Sequence, residues 1–105
     1  MDPGQPDLFF LGDVVVSQAG RDRGEMFYVV GTDPEFLLLA NGKDRSLEKP
    51  KRKKRRHVQK VLRSETRVAG KLRLGDKVLN SELRRDLAFI GREMQRNNPG
   101  GFELG

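Results

Sequence analysis

Three apolar segments, each five residues long and each enclosed by residues that break regular structure, restrict the possible folds of this chain more than any other feature. DVVVS (13–17) lies between Gly12 and Gln18-Ala19-Gly20, MFYVV (26–30) between a polar GRDRG loop and Gly31-Thr32-Asp33-Pro34, and FLLLA (36–40) between that turn and Asn41-Gly42. β-Branched and aromatic residues favour strands, and five residues are too few for a stable helix, so even the leucine-rich third segment is expected as a buried strand. Glycines at both ends of GRDRG permit a tight reversal, and Asp33-Pro34 favours a second turn, so the three strands should follow one another as hairpins, with the core beginning at residues 8–11.

After the third strand the character changes. Residues 49–60, KPKRKKRRHVQK, hold eight Lys or Arg in twelve positions and no acid. From 43 to 67 there are twelve basic and three acidic residues (+9), while the other 80 residues carry nine basic and twelve acidic (−3), so all of the net +6 resides in one quarter of the chain. Such a run repels itself and must be solvated or neutralised by a polyanion. A fourth strand is expected at about 53–56, then a single turn and a short fifth strand through HVQKVL (57–62), anchored by Val58, Val61 and Leu62.

Residues 63–79 read as a linker and residues 80–96 as a helix. Leu83, Leu87, Ile90 and Met94 fall at i, i+4, i+7 and i+11 on one narrow stripe, with Arg84, Arg85, Arg92 and Arg96 facing elsewhere. Asn80 or Ser81 can cap the helix and NNPGG ends it. Four apolar residues on about four turns cannot hold a helix in water, so it must dock on the rest of the chain or on a partner. Residues 1–7 are expected as a disordered lead-in and 97–105 as a flexible tail. LGDVV (11–15) is echoed by LGDKV (74–78), but a helix follows the second copy where a duplicated barrel would need strands.

The 105 residues suffice for one core. With no cysteine and one histidine, no disulfide, thiolate metal site or cofactor is expected, and without a long apolar run no membrane insertion. The reading is a cytoplasmic protein.

Short strands with glycine-rich turns every eight to twelve residues point to a small barrel. Residues 12–31, GDVVVSQAGRDRGEMFYVVG, resemble a KOW motif, and residues 11–62 together are similar to the KOW-containing ribosomal proteins of the archaeal and eukaryotic large subunit. The resemblance implies a mainly β fold, an SH3-like (KOW-type) barrel over 8–62 with the C-terminal helix as an extension, and ribosomal RNA as partner. It places Arg21, Arg23 and Gly24 of the loop, and Lys51, Arg52, Lys53, Lys54, Arg55, Arg56 and His57 of the basic run, at RNA-facing positions. Glu25 departs from the motif, which often has a small or basic residue there, and residues 63–105 lie outside it.

The residues support the same reading independently. Arginines make bidentate phosphate contacts and lysines, Lys43 and Lys60 among them, add diffuse positive charge. Phe27, Tyr28 and Phe36 are expected in the core, so recognition should rest on phosphate and shape more than on base sequence. Asp22, Asp33, Glu35 and Asp44 have no partners at a spacing that defines a reaction, so no enzyme is expected. The alternative is a protein-interaction module for a transcription or translation factor, binding through the barrel and the stripe of Leu83, Leu87, Ile90 and Met94, with the basic run as a solvated arm. DNA as the polyanion is a third reading.

Overall fold

The structure, a computed structural model, describes residues 8–97. The expected lead-in (1–7) and all of the tail except Asn97 lie outside the described residues. Five strands, β1 (Asp13–Ser17), β2 (Met26–Thr32), β3 (Phe36–Ala40), β4 (Lys51–Lys54) and β5 (Val58–Arg63), form one antiparallel sheet in the order β4-β3-β2-β1-β5. A 3-10 turn, Arg55–His57, joins β4 to β5, and two helices follow, α1 (Arg67–Leu74) and α2 (Asn80–Asn97).

β1 and β3 form where the sequence places them, and β2 runs two residues further than expected, because Gly31 and Thr32 pair with Leu38 and Leu37 before the turn at Asp33-Pro34. β4 begins two residues earlier than expected, because its register is set by its apolar neighbour: Leu39 pairs with Lys51 and Phe36 with Lys54. Past Lys54 the ladder has no further partner, and Arg55 N donates to Glu35 O at the 33–36 turn. β5 returns along β1 with a register shift between Val14 and Val15, and β2 has a second between Val29 and Gly31. Such bulges bend and twist a sheet. Its two edge strands, β4 and β5, are connected through the 3-10 turn but share no ladder, so the sheet does not close into a complete barrel.

Both faces of that sheet are covered, and this explains the three consecutive valines of β1. Val15, Phe27, Val29, Leu37, Leu39 and Val58 pack with Phe9 on one face. Val14, Tyr28 and Ala40 point the opposite way, as the period of two requires, and meet Ala69, Leu83, Leu87 and Ile90 from the helices. Each of these large apolar side chains contributes about 1.5–3 kcal/mol when removed from water, enough to hold a helix that cannot stand alone. The stripe therefore docks within the chain: Leu83, Leu87 and Ile90 are buried and Met94 is partly so.

Two local readings change. Residues 63–79 are structured: Thr66 caps α1 by accepting from Ala69 N, and Gly75 closes it in the left-handed conformation. At α2, Asn80 turns away to accept from Leu47 N and donate to Glu48, at 2.8 and 2.9 Å, and Glu82 reaches back to Leu79 N at 2.9 Å.

Candidate nucleic-acid interface

The basic run divides by strand alternation. In β4, Lys51 and Lys53 sit opposite Leu39 and Leu37 and share their inward direction, while Arg52 and Lys54 alternate to the other face. Lys53 is only 7% exposed. A buried ammonium needs an anion, and Asp22, the one acid inside the GRDRG loop, supplies it. Lys53 Nζ lies 2.9 Å from Asp22 Oδ1 and donates to Ala19 O at 2.7 Å, Ser17 Oγ donates to the same carboxylate at 2.7 Å, and Lys51 Nζ stands 3.3 Å from Oδ2. Burial alone would raise the Asp22 pKa; hydrogen bonds from Lys53, Ser17 and Lys51 outweigh it and hold the pKa at about 2. The carboxylate is thus charged at any physiological pH.

This ion cluster shapes the loop around it. Gly24 takes φ 90° and donates to Ser17 O at 2.9 Å, and Glu25 N donates to Asp22 O at 2.9 Å, so residues 20–24 fold back on the end of β1. With Asp22 turned in, Arg21 and Arg23 are left exposed on either side of it. Arg21, Arg45 and Lys51 line one shallow cavity of about 290 Å³ together with Asp22, Glu25 and Asp44. Lys54, Arg55 and Arg56 line another of about 240 Å³ with Pro34 and Glu35. The two depressions lie at opposite ends of β4, and Arg52 stands between them with its guanidinium 3.6 Å from the centroid of the Phe36 ring.

The twelve expected contact residues therefore fall into three groups. Arg21, Arg23, Gly24, Lys43 and Arg56 are exposed, and Arg52 is exposed above Phe36. Lys54 and His57 are half-buried. Lys51 and Lys53 hold Asp22. Arg55 Nε donates to Asp33 O at 2.9 Å, and Lys60 pairs with buried Asp13 at 3.1 Å and lies over the rings of Phe9 and Phe10 at 5.7 and 5.4 Å. These last four cations build the scaffold that presents the others. The helix stripe Leu83, Leu87, Ile90 and Met94 belongs to the core and offers no free face to a partner. Phe27 and Tyr28 are buried as expected, whereas Phe36 is half-buried beneath Arg52.

Asp22 is the residue whose part was missed. Its signal was present: an acid between two arginines, in a glycine-bounded loop, facing a strand made wholly of cations. The 33–36 turn has a similar local organiser. Asp33 accepts from Phe36 N at 2.7 Å and Glu35 N at 2.9 Å, and these backbone hydrogen bonds lower its pKa. Among the described residues no group of three His, Asp or Glu could hold a metal ion, and no helix is long and apolar enough to cross a membrane. Compared with known proteins, the chain matches no family model and no curated protein.

Proposed function

We propose that this chain is a non-enzymatic, cytoplasmic RNA-binding protein of the KOW type, an SH3-like barrel in a partly open form with a docked helical extension, and that its target is structured RNA, ribosomal RNA in the first place. The observation that carries this reading is the division of the cations. An ion cluster centred on Asp22 fixes the loop and β4 relative to each other and leaves Arg21, Arg23, Arg52, Lys54 and Arg56 outside that cluster, on the loop, on β4 and on the turn after it. The strand order β4-β3-β2-β1-β5, with a single 3-10 turn between the edge strands, supports the barrel assignment. The competing reading, a protein-interaction module, relied on the barrel and the α2 stripe, and the stripe is buried in the core.

Phosphate neutralisation has a thermodynamic signature. About six contacts to an RNA strand give a slope of log affinity against log salt near −4, and replacing Arg52, Lys54 and Arg56 together by Ala should reduce it by about two units. A shallow slope unchanged by the triple variant would overturn the reading.

A further inference from the structure

The face of α2 opposite its buried stripe carries Arg85, Phe89 and Arg92 at i, i+4 and i+7. Phe89 is 49% exposed, so half of its ring is open to solvent. It borders an open cavity of about 360 Å³ that is also lined by Val68 of α1, Glu82 and Asp86. That volume falls within the roughly 300–1,000 Å³ of small-ligand sites.

The charges around this cavity favour an anion that also carries a flat ring. Both acids are already engaged by the protein. Glu82 Oε2 pairs with Lys71 at 2.9 Å and Oε1 accepts from Leu79 N. Asp86 Oδ2 accepts from the Tyr28 hydroxyl, at short range, and from Thr66 Oγ1 at 2.8 Å. The Tyr28 hydroxyl also contacts Ser64 Oγ at 2.9 Å, so the Asp86 carboxylate is held from the core and cannot swing away. Its other oxygen, Oδ1, has no hydrogen bond among the described residues and remains available as an acceptor. Arg85 and Arg92 have no ion-pair partner among the described residues.

Resting on the RNA-binding reading above, we propose that this cavity receives one unpaired nucleotide of the bound RNA. The base stacks on Phe89, a ring or exocyclic N–H donates to Asp86 Oδ1, and the phosphates on either side pair with Arg85 and Arg92. Stacking on an aromatic side chain requires a base that has left its helix, so this second contact distinguishes RNA with a bulge or loop from a continuous duplex. The basic row on β4 tracks a backbone and makes no such distinction.

The test uses the full chain and two RNA hairpins of equal length, one fully paired in its stem and one with a single bulged nucleotide, titrated at several salt concentrations. The native chain should prefer the bulged RNA roughly tenfold, and Phe89→Ala should abolish that preference while leaving affinity for the paired stem and its salt slope unchanged. Arg85→Ala with Arg92→Ala should reduce the salt slope by about one unit on bulged RNA only. Phe89→Leu keeps the apolar bulk and loses the stacking ring, so retention of the preference in that variant overturns the proposal. So does equal native affinity for the two hairpins, which would leave Phe89 as a contact for protein. Should the native chain bind neither hairpin, the RNA reading itself fails with it.

Discussion

Lys53 and Asp22, 31 residues apart in sequence, meet at 2.9 Å in a nearly dry site at the junction of β4 and the 20–24 loop. Lys53 has no residue of opposite charge in its own strand of four cations, and Asp22, although it lies between Arg21 and Arg23, pairs across with β4 instead. The pairing therefore relieves repulsion within β4 and joins two distant segments. Removing one member leaves a buried, uncompensated charge, which is costlier than never having had the pair.

For that reason Asp22→Asn should destabilise the fold by about 3 kcal/mol at neutral pH. The pH dependence gives an independent check. The folded-state pKa is depressed from 3.8 to about 2, so this group's contribution is fully present above the unfolded value and is lost as pH falls through the folded one. Urea denaturation of native and variant chains should give free energies that differ at pH 7 and converge between about pH 4 and 2. A constant difference over that window would mean that charge at Asp22 is not the stabilising element.

Tyr28 joins the sheet to both helical segments through its hydroxyl, which meets Ser64, Thr66 and Asp86. Burial, followed by the hydrogen bond to Asp86, raises its pKa from 10.0 to about 12. The sign is opposite to that of Asp22: a raised pKa contributes stability that is fully present below the unfolded value and is lost as pH rises through the folded one. Because the chain has a single tyrosine, phenolate absorbance reports this group alone. It should titrate near 12 in the native chain and near 10 when α2 is detached by Leu87→Asp. Identical titration in the two chains would separate Tyr28 from helix docking.

Gly42 sets how closely the start of α2 can approach the end of β3. This glycine has φ 76°, and a Cβ there would lie 2.2 Å from the backbone oxygen of Asn80 and 3.1 Å from Leu83 Cβ. Gly42 O also accepts from Arg84 at 2.5 Å. Gly42→Ala should therefore combine an unfavourable φ with a clash against helix backbone and cost at least about 2 kcal/mol. The expected result is loss of amide protection in residues 80–90 before it is lost in β1 and β2. Unchanged hydrogen exchange in α2 would rule out this tight contact.

Much of this architecture was legible because it is encoded locally. The strands at 13–17 and 26–30 are β-branched or aromatic runs, the one at 36–40 is a leucine-rich run too short for a helix, all are cut by glycine or proline, and the α2 stripe repeats with helical period. α1 was hidden: RVAGKLRL has a glycine in its middle and only Val68 and Leu72 partly buried beside Ala69, so neither propensity nor periodicity marks it. Its punctuation, Thr66 and Gly75, was visible, but tertiary packing makes those residues meaningful. Covering of both sheet faces could have been read from Val14, Val15 and Val16, since an apolar run in a strand points both ways. In the candidate site the position of the charge was legible but its direction was not. Which lysines turn inward depends on the register of β4 against β3, and an unbroken cationic run carries no alternation from which to read it.

That register leads to the sharpest prediction about the interface. Lys53 and Lys54 are adjacent, identical and equally basic in sequence, yet Lys53 is 7% exposed on Asp22 while Lys54 lines the depression shared with Arg55 and Arg56. If phosphate contact is confined to outward cations, Lys54→Ala should weaken RNA binding and reduce the slope of log affinity against log salt by about 0.7. Lys53→Met, which keeps the apolar stem, should lower stability by leaving Asp22 short of its closest cation, with little effect on the salt slope of the folded fraction. Asp22→Ala added to Lys53→Met should recover part of that stability without restoring any RNA affinity, because the pair is removed together. Parallel salt titrations and urea melts of the three variants separate scaffold from contact. Equal reductions of slope for Lys53→Met and Lys54→Ala would mean that the whole run opens and binds RNA as an unstructured arm, against the division of the cations argued from β4.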